Sequence, residues 1–347
     1  MGFRHVVGGT PFAKWLAEPQ GTSMRLVMMG TGTFAEPAFS ALLASRHQVV
    51  GLVTQPDRPT GKERGSTRQV GRGMKPMAVE RNIPVYQPES INTPEGVATL
   101  KNWQPDLLVV AAYGQILSKD VLTTTPHGGI NIHASLLPKY RGAAPIAWAI
   151  YHGEKETGVT IIKMSVFLDA GDMLAQEALA IGPEETAGEL EERLAPLGGR
   201  LALQVIDQIE TGTTRGVKQD KSLATKAPKL VKEHGLIDWS RPASAVCNHI
   251  RAMQPWPTAY TFLHEGNQPP GRAIILRASA VSPLTESSRL APGMLSAMDS
   301  RLFVNVGQGD KVEVHQIQPA GKRAMTAAEF LRGHPIKAGA RFGPEAS

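Results

Sequence analysis

Residues 106–112, Asp-Leu-Leu-Val-Val-Ala-Ala, are apolar without a break after the leading aspartate. A run this short and continuous suits a strand covered on both faces, as inside a parallel sheet with helices on either side. The same grammar recurs around it. Residues 25–29 form a short apolar run that ends in Gly30-Thr31-Gly32-Thr33. Pro37 then suits the first turn of a helix reaching about residue 45, and 48–54 reads as the next strand. A strand at 129–133 leads through the loop Ser-Leu-Leu-Pro-Lys-Tyr-Arg-Gly-Ala-Ala-Pro into a helix near 146–152. Strands at 157–164 and 173–180 follow. Leu190, Leu194, Leu197, Leu201, Val205 and Ile209 then recur at helical spacing within 186–210. Strands alternating with helices predict a doubly wound α/β domain with a mostly parallel sheet over residues 24–211.

From about residue 227 the pattern changes. Short β-like runs at 273–280, 301–306 and 311–318, punctuated by Gly and Pro, predict a smaller, mostly β domain over 227–347, an OB-like barrel. Residues 212–226, rich in Gly, Thr and Lys, read as a basic linker between the two. A chain of 347 residues is long enough for two such cores. The first 23 residues hold no continuous apolar segment and no clear small-residue cleavage site, so a leader outside the fold is expected rather than a signal peptide. Val6 stands where N-myristoylation needs Ser or Thr. The one cysteine, Cys247, cannot close an intrachain disulfide, and no stretch approaches the roughly 20 apolar residues of a membrane span. A cytoplasmic monomer with no membrane partner is the expectation.

Charge narrows the partner. The formal net charge is +6, and its placement matters more than its size. Arg58, Lys62, Arg64, Arg68, Arg72 and Lys75 face only Glu63 over residues 58–75. Arg215, Lys218, Lys221, Lys226, Lys229 and Lys232 face only Asp220 over residues 213–232. Two basic runs of weak hydrophobic periodicity suggest a polyanion touched at two places, although a solvated surface would look the same.

The chemistry has two candidate starting points. The Gly30-Thr31-Gly32 turn invites a dinucleotide reading, but the third glycine is missing and no acidic residue closes a second strand about 20 residues on. Asp57, the nearest, falls in the basic loop, so a tight strand-to-helix turn is the better account. The stronger signal is Asn131-Ile132-His133. Residues two apart on a strand share a face, so a carboxamide and an imidazole stand together at a strand's C-terminal end, where open α/β sheets build their sites. Asp169 lies in a turn-like stretch, Phe167-Leu-Asp-Ala-Gly-Asp172. Taken singly, His133 could be a satisfied core histidine and Asp169 a turn former.

Taken jointly, they resemble a known family. The run Asn131-Ile-His-Ala-Ser-Leu-Leu-Pro-Lys-Tyr-Arg-Gly142, with Pro145 and Trp148 beyond it and Leu168-Asp-Ala-Gly-Asp172 further on, is similar to the folate-dependent formyltransferases. The resemblance implies a Rossmann-like catalytic domain and transfer of a formyl group from 10-formyltetrahydrofolate to an amine. It makes Asn131, His133 and Asp169 the catalytic residues. It places Ser135, Leu136, Leu137 and Pro138 against the folate, with Ala112, Tyr113, Gly114, Val166, Phe167, Leu168 and Ala170 around the pterin. Such chemistry needs no metal, and no His/Cys set here has ligand spacing.

The amine follows from other segments. Thr54-Gln-Pro-Asp-Arg-Pro-Thr-Gly61 with its basic loop, Ala227–Glu233, Ile237-Asp-Trp239 and Ile250-Arg-Ala-Met-Gln-Pro-Trp-Pro257 resemble the members of that family that formylate initiator methionyl-tRNA. The likeness runs from Met24 to about Gly333. It implies that Arg58, Lys62, Arg64, Arg68, Arg72 and Lys75 meet the acceptor end, while Lys226, Lys229 and Lys232 hold phosphates. Some positions depart from the family. Lys62 replaces the usual Arg and loses its planar fork, Thr258 follows the Pro-Trp-Pro run, and Ser165 and Phe167 stand where Asp and Gly are common. The alternative with the same donor, a sugar-nucleotide amine formyltransferase, should lack the basic loop and these second-domain motifs. A non-catalytic tRNA-binding relative should have lost the Asn131, His133, Asp169 set.

Overall fold

The computed structural model describes residues 23–57, 73–266, 268–281 and 290–345. The first half alternates strand and helix as expected: β1 (Arg25–Gly30), α1 (Ala35–Leu43), β2 (Gln48–Val53), α2 (Met74–Val79), β3 (Val85–Tyr86), α3 (Pro94–Trp103), β4 (Leu107–Ala111), α4 (Lys119–Leu122) and β5 (Gly129–His133), with α2, β3, α3 and α4 added to the expected elements. After these come α5 (Pro145–Tyr151), β6 (Glu156–Lys163), β7 (Met173–Ala180) and the long α6 (Ala187–Glu210). The sheet order is β3-β2-β1-β4-β5-β6-β7. It is parallel through β5, whereas β6 and β7 add on antiparallel.

Alternation along β1 shows why the apolar runs are unbroken. Leu26 and Met28 enter one fully buried cluster with α1 and α6 residues, whereas Val27 and Met29 enter another with Ile91, Leu100 and Val121. Both faces are dry, so every position is apolar. The chain runs outward from β1 to β3 and then returns to β4, which leaves a crevice at the strands' C-terminal ends. Gly30 ends β1 under a close approach: a Cβ there would lie 2.7 Å from the Ala111 carbonyl oxygen of the neighbouring strand and 2.8 Å from Cβ of Ala35 at the start of α1. Helix–sheet packing therefore accounts for the first glycine of the Gly-Thr-Gly turn. Helix α6 starts at a capping box in which Thr186 and Glu189 satisfy each other's backbone N–H groups.

The second half is β-rich as expected, with α7 (Ala243–Ala252) leading into β8 (Ala259–His264), β9 (Gly271–Val281), β10 (Leu295–Met298), β11 (Arg301–Asn305) and β12 (Lys311–Pro319). The short β13 (Met325–Thr326), α8 (Ala327–Gly333) and β14 (Arg341–Gly343) complete it. The antiparallel order is β10-β11-β12-β9-β8-β14. Leu295 N–H donates to the Ala340 carbonyl (3.0 Å) and Phe342 N–H to that of Gly293 (2.8 Å), so the two outer strands meet and the sheet curls into a barrel. Trp239 of the Ile-Asp-Trp motif is core: it stacks on Phe342, and its indole N–H donates to the Thr261 hydroxyl at 3.0 Å.

Helix α7, absent from the sequence expectation, packs against β9 on one side and α5 on the other and so joins the two halves. Its inward face is Ala243, Val246, His249 and Ile250, and the histidine breaks the apolar periodicity that would have announced a helix.

Candidate active site

Asn131 and His133 stand at the end of β5, which is hydrogen-bonded to β4 on one side and β6 on the other. Asp169 sits on the β6–β7 connection with φ of +47°, the left-handed region that a non-glycine residue occupies at a cost. Its two oxygens face different partners. Asn131 Nδ2 donates to Oδ1 at 3.4 Å. Gly142 N–H donates to Oδ2 at 2.8 Å, and His133 Nδ1 lies 3.6 Å from the same atom. The imidazole and the carboxylate are both almost fully buried.

The roles of the ring nitrogens follow from the other bond. His133 Nε2 lies 2.9 Å from the Tyr140 carbonyl oxygen, which only accepts, so Nε2 carries a hydrogen and donates. In the neutral ring Nδ1 is then the free acceptor and faces Asp169. The orienting bond on His133 thus comes from a backbone carbonyl, while Asp169 faces the nitrogen that can take a proton.

The loop after β5 is braced from beneath. Ser135 Oγ donates to the Lys139 carbonyl (2.7 Å), and Thr160 Oγ1 donates to the Ser135 carbonyl (2.6 Å) while accepting from Leu137 N–H (3.1 Å). Gln176 Nε2 donates to the Leu137 carbonyl at 3.0 Å. Tyr140 N–H donates to Thr225 Oγ1 (2.8 Å), and the Tyr140 hydroxyl donates to Glu154 at 2.8 Å. Burial, then the Glu154 carboxylate, push the Tyr140 phenol above its usual range. Thr160, Gln176 and Thr225 carry this scaffold and went unread in the sequence. The one available sign is Thr160 itself, a polar residue within the apolar stretch 159–162 of β6.

The residues expected around the folate divide by exposure. Ser135 and Leu137 have buried side chains, whereas Leu136 and Pro138 are half-buried. Tyr113 turns into the core at 2% exposure among Val27, Met29 and Val110, and offers the site only backbone. Its carbonyl accepts from Gln55 Nε2 at 2.8 Å. Ala112 and Gly114 on either side have φ of +46° and +81° and are exposed. Val166, Phe167 and Leu168 form an apolar run beside Asp169, with Phe167 73% exposed, and Ala170 is half-buried.

Of the basic residues, Arg58, Lys62, Arg64, Arg68 and Arg72 lie outside the described residues, as do residues 1–22 of the expected leader. Lys75 on α2 is paired with Asp57, and that hydrogen bond, followed by one from Gln87, holds the Asp57 carboxyl below its usual range. Lys226, Lys229 and Lys232 are exposed on the segment leading into the barrel. Among the described residues, His47, Asp207 and Glu210 alone could gather three metal-ligand atoms. Arg46 already bonds both of those carboxylates, and His47 Nδ1 accepts from Met24 N–H at 3.3 Å, which makes the group an ion-pair clasp between α6 and the start of the sheet. No described helix is long and apolar enough to cross a membrane.

Residues 24–206 match the formyl transferase family model and residues 229–335 match its C-terminal domain, so the sheet with its reacting end and the barrel together define a two-domain formyl transferase. The chain belongs to the methionyl-tRNA formyltransferase family. The enzyme of that name from Pelotomaculum thermopropionicum is 43% identical over 93% of this chain and 100% of its own length. That from Geobacter sulfurreducens is 41% identical over 93% of this chain and 98% of its own. Among solved structures, a Helicobacter canadensis N-formyltransferase in complex with folinic acid and dTDP-3-aminofucose shares the fold, with a TM-score of 0.63 and 17% identity over 84% of this chain and 98% of that one. HypX from Aquifex aeolicus in complex with tetrahydrofolic acid shares it at a TM-score of 0.59 and 16% identity, over 89% of this chain and 47% of that one.

Proposed function

We propose that this protein transfers the formyl group of 10-formyltetrahydrofolate to the α-amine of initiator methionyl-tRNA, for the start of protein synthesis. The observation that carries the chemistry is the meeting of Asn131, His133 and Asp169 at the carboxyl end of β5, with the Asp169 carboxylate 3.4 Å from the Asn131 amide and 3.6 Å from the His133 ring. The amine is supported by the relatives, which match this chain along nearly its whole length and are named for that substrate. The donor class is supported by the folate compounds named in two structures of the same fold.

The residue types suit the reaction. The neutral amine attacks the formyl carbon, a C–N bond forms and the formyl oxygen becomes an oxyanion. The Asn131 amide has two hydrogens, and with one directed at Asp169 the other is available to that oxygen. His133 Nδ1 takes the proton from the attacking nitrogen and returns one to the folate nitrogen as its bond to the formyl carbon breaks. Asp169 stabilises the imidazolium in between. An α-amine titrates near pKa 8, so a useful fraction is already neutral at pH 7, and the oxyanion is the larger task. Ala112, Gly114 and the exposed run Val166, Phe167 and Leu168 flank this centre and offer the pterin surroundings. The charges at Arg58, Lys62, Arg64, Arg68, Arg72, Lys226, Lys229 and Lys232 suit the phosphates of the tRNA.

The test supplies 10-formyltetrahydrofolate with charged initiator tRNA or with an amino-sugar nucleotide and follows the formyl group. Transfer to the sugar alone would sink the tRNA assignment. His133→Ala should lower turnover by on the order of 10²–10⁴ while folate binding is kept. Near-normal turnover would remove His133 from the mechanism.

A further inference from the structure

The linker between the domains was expected to face a polyanion, yet it also lies across the turn that carries Asp169. Val217 exchanges backbone hydrogen bonds with Met173, both 2.8 Å, just beyond that turn. Two residues later the Gln219 side chain closes on the turn itself. Its Nε2 donates to the carbonyls of Asp169 and Gly171, each at 2.8 Å. Its Oε1 accepts from Arg141 Nε at 3.1 Å and Nη2 at 2.6 Å. The guanidinium can only donate, so the amide oxygen must face Arg141 and the amide nitrogen must face the two carbonyls. Every hydrogen of this amide is used.

These bonds converge on one carboxylate. The two carbonyls bracket Ala170 and pin the turn in which Asp169 adopts its left-handed conformation. Arg141 precedes Gly142, whose N–H donates to Asp169 Oδ2. Gln219 therefore ties together the two loops that hold Asp169 from opposite sides. We propose that Gln219 is a positioning residue for formyl transfer, setting the Asp169 carboxylate against Asn131 and His133 and making the interdomain linker part of the catalytic framework. This rests on the formyl-transfer function above and extends it to a residue outside the Asn131, His133 and Asp169 set.

The experiment uses the full chain with 10-formyltetrahydrofolate and charged initiator tRNA, comparing wild type, Gln219→Glu and Gln219→Met. Glutamate keeps the acceptor for Arg141 but sets an oxygen against two carbonyls; methionine keeps the length without donors. A displacement on the order of 1 Å at a reacting group costs about 10²-fold, so kcat should fall by roughly 10- to 100-fold with the KM for tRNA within about twofold. In the double variant Asp169→Asn, Gln219→Glu, turnover should be no lower than in Asp169→Asn alone, because Gln219 acts through that carboxylate. An unchanged kcat overturns the proposal. So does a rise in the KM for tRNA alone, the pattern expected of Lys218→Ala, and so does full multiplication of the two defects in the double variant. Loss of the folded state in both single variants would make Gln219 a stability residue and overturn it as well. An inactive wild type would remove the function and this inference together, whereas an active wild type with unaffected Gln219 variants removes only the inference.

Discussion

Acid should loosen the seam between the two domains through His249. This residue lies on the inner face of α7 at 4% exposure, its Nε2 2.8 Å from the His234 carbonyl and its ring edge-on to Tyr151 of α5. Arg241 lies over the Tyr151 ring and donates to its hydroxyl. Burial outweighs the hydrogen bond to His234 and, with the Arg241 charge, pushes the imidazole down from 6.5 to about 4. Between those values the unfolded chain binds a proton that the folded protein refuses. The contribution is therefore complete above pH 6.5 and is lost progressively as pH falls toward 4. At about 1.4 kcal/mol per pH unit, that interval is worth on the order of 3 kcal/mol.

His249→Gln supplies a neutral N–H for the His234 carbonyl and cannot titrate. Urea unfolding of both proteins at about pH 7.5, 6 and 4.5 isolates the effect, because carboxylates such as Glu189 and Glu313, held below their usual range mainly by a backbone bond from Thr186 and by Arg301 respectively, destabilise both alike in acid. The wild type should lose more stability than the variant by about 2–3 kcal/mol across that range. Parallel pH dependences would refute the reasoning, since His249 would then carry no proton deficit in the folded state.

Three further outcomes follow from particular contacts. Gly142 has φ of +128°, and a Cβ there would lie 2.4 Å from the Ala227 carbonyl oxygen, so Gly142→Ala should cost about 1–3 kcal/mol by thermal unfolding. It should also lower kcat, because the displaced N–H is the one that donates to Asp169; a variant with wild-type stability would mean that the loop relaxes freely. The Cys247 thiol is pushed up to about 12 by burial, so at pH 8 iodoacetamide should label it in urea and hardly at all in the native protein, as read by mass spectrometry. Thr186→Ala removes one arm of the α6 capping box and should cost about 1 kcal/mol in urea unfolding, with kcat unaltered.

Much of this site is legible in the chain itself. The period of a strand places Asn131 and His133 on one face, and β5 ends at His133 as its pattern requires. The continuous apolar runs, the leucine spacing of α6 and the change to short β segments near residue 227 are local signals, because each reports which faces of one element are dry. Helix α7 escaped because a buried histidine occupies its apolar stripe. Strands β10 and β14 escaped because they have only four and three residues, and β8 because most of its positions are only partly buried.

Tertiary structure decided everything that depends on a bond between distant segments. Asp169 reaches Asn131 across 38 residues by way of a strained turn that no periodicity describes. The assignment of the His133 nitrogens depends on where the Tyr140 carbonyl happens to lie. The Ser-Leu-Leu-Pro segment, whose serine and second leucine prove buried, was indistinguishable in sequence from a loop with all its side chains facing a ligand. Gln219 looked like one more polar residue in a basic linker, yet it grips the turn that bears Asp169. Burial of a face repeats with the geometry of its element and so leaves a pattern along the chain. A polar side chain that satisfies a single remote carbonyl repeats nothing, and only the folded chain reveals its partner.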